Sequence, residues 1–321
     1  MRIASLFFVL IALAGAPAHA QSDYPTRPIR ILVPYAPGGI SDIAARLVGA
    51  KLTDAFGQQV IVENRPGGNG FIAVADAAKS TPDGYTLVMV TTGDVAINPA
   101  LFKEVPYDVE RDLAPISAVS DAPMVLATNV DSPYKSVGDV IAAAKAKPDT
   151  LGVGTPGYGS INQLVLESIA LNTGTKFVHV PYKGGAPAAQ ALVAADIPLG
   201  VLASSSVAPH VASGRVRVLA ITTAQRSPLN PDWPTLKEQG AGDINASNWT
   251  ALLAPKGAPQ PIIDKLNAKV VEILKMPDVK EKFAAGGVST IPSTAAELSD
   301  RIKRELATYR VVIEKANVHV D

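Results

Sequence analysis

Between Ile29 and Val90 the chain alternates short β-branched runs with longer stretches of helical period, and this alternation restricts the fold more than any other feature. Ile29-Arg30-Ile31-Leu32-Val33 reads as a strand and Pro34 to Gly39 as a turn. Residues 41–56 then carry Ile43, Leu47, Val48 and Leu52 at the spacing of an amphipathic helix, stopped by Gly57. Val60-Ile61-Val62-Glu63 gives the next strand, residues 70–80 the next helix, and Thr86-Leu87-Val88-Met89-Val90 a third strand. A β-α-β-α-β order calls for a parallel sheet with helices on its faces. A second set starts near Pro123, with strand-like runs at 125–127, 151–154, 177–180, 198–202 and 216–222. A capping-box pattern at Ser136-Val137-Gly138-Asp139 opens a helix that Pro148 closes, and residues 261–275 and 294–316 read as a helical tail. Two such sets predict an α/β protein of two lobes.

The first twenty residues read as an export leader. Arg2 supplies the positive end, the run from Leu6 to Ala14 the apolar core, and Ala18-His19-Ala20 a small-x-small cleavage pattern, so the mature chain is expected to begin at Gln21. The apolar run is too short to span a bilayer. The chain has no cysteine. Disulfides, thiol nucleophiles and cysteine-based metal sites are therefore excluded, and so is a lipid anchor on a cleavage-site cysteine. The expectation is a periplasmic protein, exported and free to diffuse. Its 321 residues exceed what one core ordinarily holds, which again favours two domains. Lys and Arg total 29 and Asp and Glu total 29, with no basic run, so there is no footprint for nucleic acid.

In open parallel sheets, ligands bind beyond the carboxyl ends of strands, where helix N-termini face the crevice. Three turns meet that description. The first runs from Val33 through Tyr35, Pro37, Gly38, Gly39 and Ser41 to Asp42. Its glycines let main-chain N–H groups approach an anion. The same pattern suits a tight turn capped by Ser41 and Asp42, and local sequence weighs the two readings equally. The second turn, Gly154-Thr155-Pro156-Gly157-Tyr158-Gly159-Ser160, repeats the arrangement, with the hydroxyls of Thr155 and Ser160 as candidate donors to a carboxylate. The third, Thr91-Thr92-Gly93-Asp94-Val95, carries an acid. Asp94 is either a solvated loop aspartate or an acceptor for a ligand hydroxyl or amine. Gln163 and Ser205 complete the candidate contacts.

Two enzyme-like patterns are weak. Gly68-Asn69-Gly70-Phe71-Ile72-Ala73 fits a loose dinucleotide fingerprint but follows the second strand, where that fingerprint belongs to the first. Gly157-Tyr158-Gly159-Ser160-Ile161-Asn162 lacks the closing glycine of a nucleophile elbow. A secreted hydrolase using Ser160 or Ser41 is a remote alternative. His179 lies in a strand-like run and reads as a packed histidine, and no catalytic residue, metal site or cofactor is expected.

Several short motifs, in order along the chain, carry a family likeness. They are Tyr24-Pro25-Thr26-Arg27-Pro28, Val33-Pro34-Tyr35-Ala36-Pro37-Gly38-Gly39, Val62-Glu63-Asn64-Arg65-Pro66-Gly67-Gly68, Asn98-Pro99, His179-Val180-Pro181-Tyr182-Lys183-Gly184-Gly185, Leu219-Ala220-Ile221-Thr222, Pro234-Thr235-Leu236-Lys237-Glu238-Gln239-Gly240 and Leu253-Ala254-Pro255. Together they resemble the Bug family, the extracytoplasmic receptors of tripartite tricarboxylate transporters. The resemblance implies a type II periplasmic binding protein fold, with two β/α lobes and a ligand cleft between them. Residues 21–122 plus 243–321 would form one lobe and 123–242 the other. It further implies capture of a small carboxylate, gripped partly by main-chain amides, and delivery to membrane permease subunits. Signalling to a sensor kinase is the alternative. The receptor is expected to be monomeric. Many relatives carry histidine where this chain has Val95 and Gln163. With Asp94 added, those departures disfavour a tricarboxylate and favour a mono- or dicarboxylate with a neutral, hydroxylated or amine-bearing remainder. Tyr35 and Tyr158 are placed to stack on an aromatic acid.

Overall fold

The computed structural model describes residues 24–319, so the leader expected at 1–20 lies outside the described residues. The first set of elements is β1 (Ile29–Val33), α1 (Ile40–Phe56), β2 (Val60–Asn64), α2 (Phe71–Ala78) and β3 (Thr86–Thr91). Strand β1 lies parallel to both neighbours, with Ile29 opposite Val60 and Arg30 opposite Thr86. Alternation decides which side chains go where. Ile29, Ile31 and Val33 face one core with Leu87 and Met89, while Leu32, Val88 and Val90 face another. Both faces are covered, and so β3 is apolar along nearly its whole length. Helix α1 buries Ala44, Ala45, Val48 and Leu52, whereas Ile43, expected on that face, is 46% exposed.

After β3 the chain does not form the loop expected there. It makes a π-helical turn over Gly93–Ile97, followed by α3 (Asn98–Leu101) and α4 (Val109–Asp112). Single π-turns concentrate at functional sites. Strand β4 (Leu113–Asn129) then runs 17 residues. Its first part pairs antiparallel with β9 (Ser247–Pro255) and its last part with β7 and β8, so this one strand joins two sheets.

The second set comprises α5 (Val137–Ala146), β5 (Gly152–Thr155), α6 (Ile161–Thr173), β6 (Val178–Pro181), α7 (Gly185–Val193), β7 (Leu199–Ala203), α8 (Ser204–Ala212) and β8 (Val216–Ile221). The capping box that opens α5 forms as the sequence predicts, between Ser136 and Asp139. Strand β5 lies parallel to β6 and β7. The strand order is β2-β1-β3-β9-β4-β7-β5-β6. The tail adds α9 (Gln260–Lys275), α10 (Pro277–Ala285), the two-residue β10 (Ser289–Thr290) and α11 (Ala295–Ala316). Helix α11 serves both halves: Leu298 and Ile302 enter a core of the first, and Tyr309 and Ile313 enter a core of the second. No helix among the described residues is long and apolar enough to cross a membrane.

Where the chain passes between the sheets, Arg301 of α11 holds the two connecting strands together. Its guanidinium donates to Asp121 of β4, to Ser247 of β9 and to Glu305, and it lies 4.9 Å from the ring centre of Trp249.

Candidate functional site

A cavity of about 480 Å³ opens at the carboxyl ends of the parallel strands, within the range of small-molecule sites. One wall comes from the β1–α1 turn (Tyr35, Gly39, Ile40, Ser41), from the last residue of β3 (Thr91) and from the segment after it (Gly93, Ile97, Asn98, Leu101, Phe102), with Asn69 beside them. The facing wall is the β5–α6 turn (Tyr158, Gly159, Ser160, Ile161, Asn162). Asn248 of β9 lies between the two. Among the described residues no lysine, arginine or carboxylate lines the cavity.

The first turn is an uncapped helix start. Gly39 occupies the cap position in extended conformation, and no side chain bonds the first N–H groups of α1. The first four amides of any helix lack intrahelical partners. Here the cavity stands where a cap would be. Ser41 is 1% exposed, and its Oγ has no hydrogen-bond partner. Asp42 does not cap the helix either. Its carboxylate accepts from the Gly38 N–H (2.9 Å), the Arg46 Nε (3.0 Å) and the Asn64 Nδ2 (2.9 Å). Burial pushes the Asp42 carboxyl upward, but the hydrogen bonds from Arg46, Gly38 and Asn64 outweigh it and hold it below its ordinary value. Asn64 also donates to the Tyr35 carbonyl at 3.0 Å. The turn is thus braced from behind, by residues that leave its front free. Gly38, at φ +92°, supplies the left-handed bend that this requires.

The second turn is built differently. Ser160 caps α6 by accepting from the Gln163 N–H at 3.2 Å, and its own hydroxyl donates to the Gly157 carbonyl at 2.7 Å. The Gly159 N–H donates to Gln163 Oε1 at 2.8 Å. Thr155 is fully buried and pairs with His179 Nε2 at 2.6 Å. The groups expected to donate to a carboxylate from this side are therefore satisfied within the turn. Tyr158, 70% exposed, stands at the cavity edge with its ring against His179. His179 itself is held by Thr155 and does not meet Ser160, so neither serine has a base.

The third turn corrects the expectation for Asp94. This residue is wholly buried, and its carboxylate accepts from the Thr91 N–H (2.7 Å), the Thr91 hydroxyl (2.8 Å) and the Tyr35 hydroxyl (2.9 Å). Burial pushes the carboxyl up to about 6 against these stabilising bonds. Asp94 does not line the cavity, although Tyr35 and Thr91, whose hydroxyls it holds, do.

Of the sequence-derived candidates, the fold brings Tyr35, Gly39, Ser41, Thr91, Gly93, Tyr158, Gly159 and Ser160 to the cavity. The others sit elsewhere. Pro37 and Gly38 are on the exposed shoulder of the first turn. Thr92 ties the π-turn to β9 by donating to the Ser247 carbonyl and accepting from the Trp249 N–H. Val95 is core. A Cβ on Gly154 would collide with Ile197, so that glycine serves packing. Gly157 and Gln163 hold the second turn. Ser205 is the second residue of α8 and lies against Gly287 of the tail.

Sequence reasoning missed Asn69, Asn98, Asn162 and Asn248. Asn98 donates to the Asn69 carbonyl at 2.8 Å, and Asn162 to the Val201 carbonyl at 3.0 Å. Asn98 sat in a quoted motif, and Asn69 in the set-aside glycine pattern. Asn69 adopts a left-handed φ of 52°. Nothing local to Asn248 marks it.

The chain is similar to known proteins over most of its length. The family described as "Tripartite tricarboxylate transporter family receptor" matches residues 44–318. Protein BugT of Bordetella pertussis is 36% identical over 98% of this chain and 97% of its own length. An R. palustris protein solved with adipate superposes with a TM-score of 0.79 at 31% identity, covering 92% of this chain and 99% of that one. MatC from Rhodopseudomonas palustris with bound malate gives 0.74 at 29% identity, covering 90% of this chain and all of that one. The structural neighbours are two-lobed periplasmic binding proteins, and the family is one of receptors rather than enzymes. The chain therefore belongs to the receptor family of the tripartite tricarboxylate transporters, with a two-lobed α/β fold.

Proposed function

We propose that this receptor captures a small mono- or dicarboxylate in the cavity between its two halves, closes over it, and hands it to membrane permease subunits. The observation that carries the reading is the uncapped start of α1, with the partnerless Ser41 hydroxyl beside it, in a cavity that has no cation. A helix N-terminus favours an anion by about 0.3–1 kcal/mol, and more when partly buried. Each hydrogen bond to a charged group adds about 1.5–3 kcal/mol. Micromolar binding needs about 8 kcal/mol, within reach of a few such bonds plus apolar contact with Ile97, Leu101 and Phe102. Two related proteins solved with adipate and malate support a carboxylate ligand. A tricarboxylate would bring three charges to a site without a counter-ion, which disfavours it.

In this reading residues 21–122 plus 243–321 form one lobe and 123–242 the other. The hinge lies near Ala122 in β4 and between Asp243 and Ser247. A ligand touching both walls stabilises the closed form by its differential affinity. The receptor works as a monomer in the periplasm, released there by leader cleavage.

Thermal-shift screening of residues 21–321 against aliphatic and aromatic carboxylates tests the reading. At a hundredfold excess over Kd a ligand contributes about 2.7 kcal/mol, a shift of roughly 4 °C for a protein of this size. If sugars or cations stabilise the protein and no carboxylate does, the reading is wrong. Co-purification with a permease subunit supports delivery to a transporter, and co-purification with a sensor kinase instead would replace it.

A further inference from the structure

The pairing of Asp94 with Tyr35 and Thr91 fixes where two protons point, and this has a consequence for what the cavity accepts. An ionised carboxylate only accepts hydrogen bonds. Asp94 takes the hydroxyl protons of both Tyr35 and Thr91 and, in addition, the Thr91 N–H. Each hydroxyl has a single proton, so each oxygen is left with lone pairs alone. Their mutual distance agrees: Tyr35 Oη and Thr91 Oγ1 stand 3.4 Å apart, beyond an ordinary O–H···O bond, as expected when neither donates to the other.

Both residues line the cavity together with Gly93, which has no side chain to place over the two oxygens. A Cβ at Gly93 would lie 3.2 Å from Thr91 Oγ1 and 3.6 Å from Tyr35 Oη. This patch presents two acceptors backed by a buried negative charge. A carboxylate or ketone oxygen placed there meets only lone pairs.

Resting on the carboxylate reading above, the geometry points to a ligand that presents a hydrogen-bond donor, a hydroxyl or an ammonium, to the Tyr35–Thr91 pair while its carboxylate sits at the start of α1. The receptor then takes hydroxy or amino acids in preference to unsubstituted or oxo acids of the same length. Asp94 acts as a positioning residue: it touches no ligand and selects by orienting two hydroxyls. The groups facing it are Tyr35, Thr91 and Tyr107, whose hydroxyl donates to the Asp94 main-chain carbonyl at 2.7 Å. Gly70 closes the remaining side, since a Cβ there would collide with Oδ1.

Calorimetric titration of residues 21–321 with glutarate, 2-hydroxyglutarate, glutamate and 2-oxoglutarate tests this, repeated on four- and six-carbon skeletons. In at least one skeleton the hydroxy or amino member is expected to bind tenfold or more tighter than the unsubstituted acid, and the oxo member no tighter than it. The hydroxy and amino arms separate the two donor types. In Asp94→Asn the amide oxygen stays on the two Thr91 donors and the NH₂ donates to Tyr35, freeing the tyrosine proton to enter the cavity. The oxo acid should then gain at least threefold relative to the hydroxy acid. Tyr35→Phe provides a second check should Asp94→Asn fold poorly, because removing one acceptor must shrink the ratio of hydroxy to unsubstituted affinity. Binding of all members with equal affinity, or an unchanged ranking in both variants, overturns the polarity assignment and leaves the carboxylate reading standing. Failure of every carboxylate to bind overturns both.

Discussion

The two glycine-rich turns that face each other across the cavity share a sequence logic and differ in what they leave free. Each follows a parallel strand and each starts a long helix. At the second, Ser160 caps α6, and Gln163 takes the Gly159 amide. At the first, Asp42 likewise takes the Gly38 amide, with Arg46 and Asn64 behind it, but the helix start has no side-chain cap. The second turn is closed on itself and contributes shape. The first is open and contributes partial positive charge. A glycine-rich βα turn therefore marks a place where a ligand can be bound, and the cap residue, Gly39 at the first turn and Ser160 at the second, decides whether the helix-start donors are still available. The residues beneath the walls differ in the same sense. Asp94 titrates and sets proton directions on the first wall, whereas neutral Gln163 locks the second.

Glycine replacement should break this symmetry most visibly. Gly39 has an extended φ, and a Cβ there meets nothing closer than the Ala36 carbonyl at 3.8 Å. Gly39→Leu is expected to retain the fold with a loss under about 1 kcal/mol. Its side chain would fill the anion end of the cavity and weaken carboxylate binding by more than about a hundredfold, since the helix-start contacts together exceed 2.7 kcal/mol. Gly159 sits at φ +67°. Gly159→Leu should therefore cost about 1–2 kcal/mol of stability before any ligand is added. Urea denaturation of both apo variants, read beside calorimetry, checks the contrast. Equal destabilisation of the two would mean that the first turn is as tightly determined as the second.

Asp94 offers a pH test of the first wall. Its folded-state carboxyl stands at about 6, above the ordinary 3.8, so the native protein binds this proton before the unfolded chain does. As pH falls from 7 to 4, Asp94 is expected to add stability, up to about 3 kcal/mol over the two-unit gap. The Asp94→Asn variant lacks this contribution. The stability difference, wild type minus Asp94→Asn, should rise toward acid, and chemical denaturation at pH 7, 5.5 and 4 measures it. A flat difference would mean that the carboxylate is solvated and does not control the two hydroxyls.

Much of the fold was legible because burial on both sheet faces writes continuous apolar runs, as in β1 and β3. Strand β4 was read only from residue 125, because Pro115 and Pro123 interrupt its pattern. In the structure Pro115 sits beside a register shift, and Pro123 is the last residue paired to β9 before the strand turns to β7 and β8. Prolines are tolerated at such irregularities. Strand β9 was missed as a strand because it opens on polar Ser247 and Asn248. At the site, residue types pointed to the β1–α1 turn, and the fold brings Tyr35, Gly39 and Ser41 of that turn to the cavity. Residue types could not reveal burial. Asp94 looks like a loop aspartate until the π-turn carries it beneath Tyr35, and Asn248 reaches the cavity only through pairing with β4, far away in sequence.

The smallest expected effect discriminates best, because it separates the serines at the two helix starts, Ser41 inside the first turn of α1 and Ser160 at the cap of α6. Ser41→Ala removes a buried hydroxyl with no partner, so apo stability should hold or rise slightly, as no hydrogen bond is lost. Carboxylate affinity should fall by roughly 10- to 100-fold, the worth of one hydrogen bond to a charged group. Ser160→Ala removes a helix cap and a bond to the Gly157 carbonyl, so stability should drop by about 1 kcal/mol. Its hydroxyl proton is already committed to that carbonyl, and affinity should change less than about threefold once the fold is intact. The two variants thus exchange effects: one loses binding and keeps stability, the other loses stability and keeps binding. If Ser160→Ala weakened binding as much as Ser41→Ala, the second turn would have to rearrange on closure, releasing Ser160 from Gly157 to grip the ligand, and the division of labour between the walls would belong to the open form alone.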